Sequence, residues 1–219
     1  MTAAPSFHDA AGPHPGGMVL AMHSSGSQLG VGLRWLDRSQ PDRIRCFDHG
    51  RELANVLINC VEEVCPAADW PGLVRLAVAT GPGGFTSTRL TVVLARTLAQ
   101  QLAVPLDGAG SLALMAQRFG LDCPTWLVQA LPRRGVVAGL YGPDPGWPGV
   151  MREWEPPRLH ADEAALQALS PAPCRAAAED VEADVLGLLE LASAAQLQSE
   201  PSPWQLVLPI YPTSPVALA

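Results

Sequence analysis

The sequence predicts an α/β protein of two unequal lobes. Apolar residues make up 48% of its 219 positions, enough for a sizeable core. A strand-rich stretch, a helix, a strand and a helix follow one another about twice. The two passes are separated by a break at Leu121 to Pro124. No short internal repeat is present. This implies an extension over 1–17, a first lobe over 18–120 and a smaller second lobe over 121–219.

The elements follow in order. Residues 1–17 hold Pro, Gly, His and Ala with neither a charged start nor an apolar core. They read as a disordered extension rather than a signal peptide. Met18 to Met22 is a short apolar run, a central strand. His23-Ser24-Ser25-Gly26-Ser27 is a turn, and Leu29 to Leu36 and Arg43 to Phe47 are two further strands. Together they predict a three-stranded meander.

Glu52 to Cys65 is the clearest helix. Leu53, Val56, Leu57, Cys60, Val61 and Val64 recur at the spacing of one helical face. Pro66 ends it, Asp69 to Gly72 is a loop, and Leu73 to Ala79 is a strand. A Gly-Pro-Gly-Gly turn at Gly81 to Gly84 then leads into a helix over Ser87 to Leu102. That helix is apolar on more than one side. Leu90, Val93, Leu94 and Leu98 lie on one side, and Val92, Ala95 and Ala99 on another, which predicts burial in a core or a subunit contact. Arg89 and Arg96, seven apart, share a face.

Pro105 to Ala109 is a short strand, and Ser111 has the chemistry of an N-cap for a helix over Leu112 to Phe119. Past Pro124, strands are expected at Trp126 to Leu131, Val136 to Tyr141 and Val150 to Trp154. Helices are expected at Ala161 to Leu169 and Glu179 to Gln198, with a Pro171-Ala172-Pro173 linker between them.

Composition excludes several chemistries. The net charge is −7 and all fourteen basic residues are Arg. Without Lys there is no Schiff base, no lysine general base and no Walker-type phosphate lysine. An acidic chain without a basic cluster is a poor independent binder of nucleic acid, so any RNA contact would run through a partner. The five cysteines follow no C-x-x-C spacing and read as reduced, mostly buried thiols of a cytoplasmic protein. No apolar run approaches a membrane span.

The Gly81 to Gly84 loop admits two readings. It is a phosphate cradle at a helix N-terminus, or a tight turn that brings helix and sheet close together. For the cradle, the candidates are Gly81, Gly83, Gly84, Thr86, Arg89 and His23. The lack of Lys, and of an acid nearby to hold Mg²⁺, weighs toward the turn. Arg89 has an even choice between a phosphate or acidic partner and a local carboxylate or carbonyl. His23 at a strand end is either a ligand or base, or simply hydrogen-bonded there. No metal cluster is expected, since His8, His14, His49 and His160 stand apart. Ser24 and Ser25 follow a strand without a Gly-x-Ser-x-Gly elbow, and nothing requires a Ser-His-Asp site.

The block Gly81-Pro82-Gly83-Gly84-Phe85-Thr86-Ser87-Thr88-Arg89, then Leu90 to Val104, Pro105 and Ser111-Leu112, resembles the TsaB (YeaZ-type) family of bacterial tRNA threonylcarbamoyladenosine synthesis. Met22-His23-Ser24-Ser25 is similar to that family's Ile-Asp-Thr-Ser-like turn, and Asp48-His49-Gly50 to its His-Ser segment. The resemblance covers roughly Met18 to Tyr141, with Pro209-Ile210-Tyr211 near the end.

The resemblance implies a two-lobed actin-like (ribonuclease-H-like) fold with mixed sheets. It implies a non-catalytic subunit that binds and activates a TsaD-type catalytic partner, with a TsaE-type ATPase in the system and tRNA held only indirectly. It implies association, homodimeric or heterodimeric, through the two apolar helices, with Leu53, Val56, Leu57, Leu90, Val93 and Leu94 as interface candidates. No cofactor is expected of this chain alone, and ATP or ADP at the partner interface stays open. The departures are His23 and Ala130 where the family has acids, and Tyr211-Pro212-Thr213 for its Tyr-x-Arg. The alternative is an independent actin-fold ATPase or kinase-like transferase using Gly81 to Thr86.

Overall fold

A computed structural model describes residues 17–48 and 52–212. The extension expected over 1–17 lies outside these residues except for Gly17, as do His8, His14, His49 and Thr213. Strand β1 (Met18–His23) turns into β2 (Gln28–Trp35) and β3 (Arg43–Asp48), the expected antiparallel meander. Helix α1 (Leu53–Val64) and a 3₁₀ turn at Ala67–Gly72, where a loop was expected, lead to β4 (Leu73–Ala79). Helix α2 (Phe85–Leu102) starts two residues before the expected Ser87, and β5 (Leu106–Ala109) follows it. The first sheet runs β3-β2-β1-β4-β5, with β4 and β5 joining parallel through helical crossovers.

The period of two in β1 divides this lobe into two cores. Met18, Leu20 and Met22 face α1 and α2. Val19 and Ala21 face the opposite way, toward α5 (Val181–Leu197). Gly30 and Gly32 on β2 permit that approach: a Cβ on Gly30 would stand 2.5 Å from Val181 Cγ1, and one on Gly32 2.5 Å from Val185 Cγ1. The expected second lobe over 121–219 is therefore corrected. From Val181 on, the chain is back on the first sheet, because the small residues of β2 make room for the aliphatic face of α5.

The second sheet runs β8-β7-β6-β9. It comprises β6 (Thr125–Leu131), β7 (Gly135–Pro143), β8 (Met151–His160) and the short β9 (Cys174–Ala176), which pairs parallel with β6 and was not foreseen. Helix α3 (Ser111–Phe119) packs on one face through Leu112 and Met115. Helix α4 (Glu163–Leu169) covers the other through Leu166, over Trp126 and Leu140.

The C-terminal segment returns to the edge of the first sheet. The Leu106 amide donates to the Ser202 carbonyl at 3.0 Å, and Ser202 Oγ donates to the Leu106 carbonyl at 2.8 Å. Val207 is buried against Gly108. None of the five cysteines forms a disulfide, but only Cys60 and Cys65 are buried; Cys46, Cys123 and Cys174 are exposed, because they lie on strands and turns at the sheet margins. No helix of the described residues is long and apolar enough to cross a membrane.

Candidate functional site

The site forms where β1, β4, α2 and α3 converge. Strand β1 ends at His23, and the following Ser24-Ser25 turn meets the glycine loop between β4 and α2. Gly81 takes φ +94°, a conformation open to glycine, and its carbonyl accepts from the Ser111 amide at 2.7 Å. Gly84 donates its amide to the Ser25 carbonyl at 2.8 Å. A Cβ on Gly83 would lie 2.1 Å from that same carbonyl oxygen. The Ser25 turn thus fills the space beside Gly83, which fits the tight-turn reading, while Gly83 and Gly84 stay exposed on their outer side.

Two hydroxyl pairs tie the turn to both helices. Ser24 Oγ pairs with Thr91 Oγ1 at 2.7 Å, and Ser25 Oγ with Ser111 Oγ at 2.6 Å. Ser111 is therefore not the N-cap; Gly110 is, and the Ser111 side chain is engaged with Ser25. Thr86 and Arg89 are exposed at the start of α2, and Arg89 has no ion-pair or hydrogen-bond partner among the described residues.

His23 is fully buried, with Nε2 3.7 Å from Asp184 Oδ2. Asp184 accepts from Arg118 Nε at 3.0 Å, and Arg118 Nη2 donates to the Ala178 carbonyl at 2.6 Å. Burial, and then the Arg118 charge, lower the His23 pKa from 6.5 to about 4, so the ring is neutral at pH 7. Burial pushes the Asp184 carboxyl up against the opposing pull of Arg118. Sequence reasoning missed Asp184 and Arg118. They are far along the chain from His23, and neither belongs to a local motif.

Between the lobes, His23, Ser25 and Pro82 face Gln129 and Glu179 across a cavity of about 40 Å³. A nucleotide-sized site needs roughly 300 Å³ or more. The opening beside it, about 500 Å³, is large enough, but Glu179, Asp180 and Glu182 line it and repel a polyphosphate. Among the described residues no group of His, Cys, Asp and Glu has the arrangement to hold a metal ion. The structure brings together Gly81, Gly83, Gly84 and His23, but as packing around the Ser25 turn.

The interface candidates divide. Leu53 and Leu57 belong to the core beneath α1 and are corrected: at 5% and 7% exposure they have no surface to give. Val56, Leu90 and Leu94 are half-buried, and Val93 is 51% exposed.

A Gly83→Ala substitution is expected to destabilise the fold by about 1–3 kcal/mol, because the obstructing atom is backbone. Gly84→Ala should cost less, since its Cβ would meet only the Ser87 hydroxyl, which can rotate away. Thermal melting of the two variants checks this; equal melting points would refute it.

These residues build a two-lobed α/β protein with an actin-like fold, its cleft narrowed to a small cavity. No family model matches the chain. It is 32% identical over 129 residues to the tRNA threonylcarbamoyladenosine biosynthesis protein TsaB of Bacillus subtilis (strain 168). That match takes in 56% of this chain and 54% of the relative, so the chain spans about half the length of the curated protein it matches. The fold is that of YeaZ from Pseudomonas aeruginosa, with a TM-score of 0.65 and 20% identity, over 89% of this chain and 99% of that one. A second Pseudomonas aeruginosa structure, described as similar to peptidase YEAZ, matches with a TM-score of 0.63 and 19% identity, over 90% and 100%. The sequence match is confined to about half of each chain, and the structures show the shared fold.

Proposed function

We propose that this chain is a non-catalytic partner subunit in the synthesis of tRNA N6-threonylcarbamoyladenosine, docking on and activating a TsaD-type catalytic subunit. The observation that carries the reading is the sequence match to TsaB, which the fold of YeaZ supports. The site agrees with it. Its glycine loop is packed against Ser25, its cavity of about 40 Å³ adjoins an acid-lined opening, and its buried histidine is neutral.

A subunit of this kind acts by favouring one conformation of its partner, and needs differential contact rather than catalytic groups. The exposed side of α2 supplies such a contact through Val93, flanked by the half-buried Leu90 and Leu94. ATP hydrolysis would belong to a TsaE-type component, and tRNA would be held by the partner.

The test is co-expression with the TsaD-type protein of the same genome, followed by size-exclusion chromatography with and without ATP or ADP. A stable heterodimer is expected. Val93→Asp should weaken it about tenfold or more while leaving the melting point unchanged, since Val93 already meets solvent. Absence of any complex, combined with direct binding of ATP by this chain, would instead establish the independent ATPase.

A further inference from the structure

Helix α4 covers only part of the second sheet. It has seven residues, about 10 Å of helix, and it seals the sheet at Leu166. Past its last turn, Trp126, Leu140, Trp154 and Leu169 line a hollow of about 370 Å³. That is the size of a small-molecule site. The floor is apolar: Trp126 and Leu140 are buried, and Trp126 Nε1 already donates to the Ser170 carbonyl at 3.1 Å. The rim is apolar too, with Trp154 41% and Leu169 67% exposed. The Arg152 guanidinium, 4.9 Å from the Trp154 ring centroid, covers one face of that indole.

Two opposite charges share this hollow, and strand β8 places them there. Glu155 stands opposite Leu140 and Arg158 opposite Ala138, so three steps of β8 are set against two of β7. In a regular strand, residues three apart point to opposite faces. The bulge at Pro156 and Pro157 instead puts both on the face of Leu140 and Ala138, about 7 Å apart along the sheet. They do not pair: neither side chain has a hydrogen-bond or ion-pair partner among the described residues. Glu153, on the other face, differs, since it accepts from the Tyr141 hydroxyl at 2.9 Å.

We infer that this hollow is a binding site for a free α-amino acid with a large apolar side chain. Glu155 holds the ammonium, Arg158 the carboxylate, and the side chain lies against Trp154 and Leu140. Two unpaired charges of opposite sign select a ligand that carries both, and the apolar floor selects its body. A purely anionic ligand would meet repulsion from Glu155, and a purely cationic one repulsion from Arg158. The site belongs to the second lobe and does not depend on the partner-subunit reading.

The test is an NMR titration of the full chain with three probes. These are L-phenylalanine, 3-phenylpropionate, which lacks the ammonium, and 2-phenylethylamine, which lacks the carboxylate. L-Phenylalanine is expected to bind with a Kd below roughly 1 mM, and the other two at least about tenfold more weakly. Glu155→Gln should abolish the preference over 3-phenylpropionate, and Arg158→Gln the preference over 2-phenylethylamine. Both melting points should stay unchanged, because both side chains are exposed.

No binding of L-phenylalanine at about 10 mM overturns the inference. Equal affinity for the three probes overturns the choice of a zwitterion. Binding of L-phenylalanine that is unaltered in both variants places the ligand elsewhere on the chain, and the inference fails. A heterodimer that forms while L-phenylalanine does not bind refutes this site alone and leaves the partner-subunit reading standing.

Discussion

Asp107→Ala is expected to destabilise the protein by about 3–5 kcal/mol, because it strands a buried guanidinium. Arg75 on β4 is 1% exposed. Its Nε donates to Asp107 Oδ2 at 2.6 Å and its Nη2 to Oδ1 at 2.8 Å, a two-pronged pair between adjacent strands. Its Nη1 donates to the Glu200 carbonyl at 2.9 Å, so the same charge anchors the start of the C-terminal segment. Removing the carboxylate leaves Arg75 with neither water nor a counter-charge. Urea unfolding measures the loss. Arg75→Met/Asp107→Leu should recover much of it, since most of the penalty belongs to the unpaired charge rather than to the pair. A cost below about 1 kcal/mol for Asp107→Ala would contradict this account.

The second large effect is a pH dependence set by His23. Its pKa falls from 6.5 to about 4 on folding, so between these values the unfolded chain holds a proton that the folded chain does not. The stability from this group is fully present above pH 6.5 and is lost as pH falls toward 4. At ~1.4 kcal/mol per pH unit of displacement the loss approaches about 3 kcal/mol. Asp184 acts in the opposite sense where it titrates, because burial favours its neutral form. Comparison with His23→Gln isolates the histidine: wild type should lose stability more steeply with falling pH than the variant. Parallel profiles would show that His23 does not carry the effect.

Much of the fold was legible because local pattern and packing agree. The stripe Leu53, Leu57, Cys60, Val61 and Val64 is the buried face of α1, and the meander and the strand, glycine turn and helix that follow lie where expected. Membership of an apolar stripe, however, does not say whether a residue meets the protein's own core or a partner. Leu53 and Leu57 are covered by the sheet, while Val93, equally apolar, is left in water.

Helix α5 was expected as a helix, but its place in the fold was illegible for a related reason. Leucines occupy both its sides, so Leu188 and Leu189 could not be told from the exposed Leu186 and Leu191, nor its partner sheet named. Strand β9 is three exposed residues with no alternation of its own, held by pairing to β6. At the site, the glycine loop was legible as a close approach. What approaches it, the Ser25 carbonyl, depends on a neighbouring strand, and periodicity carries no record of that. The same holds for Asp184 and Arg118 around His23.

The return of α5 to the first sheet makes the second sheet an insertion within the body that opens the chain. That body has no cover for Val19, Ala21, Ala77 or the glycines of β2 until residues 181–197 are present. During synthesis these positions emerge early and their partner emerges late, after the inserted sheet has had time to fold. A chain cut short after residue 180 would keep its meander and glycine loop yet present an open apolar sheet. The lobe begun first is therefore the one completed last.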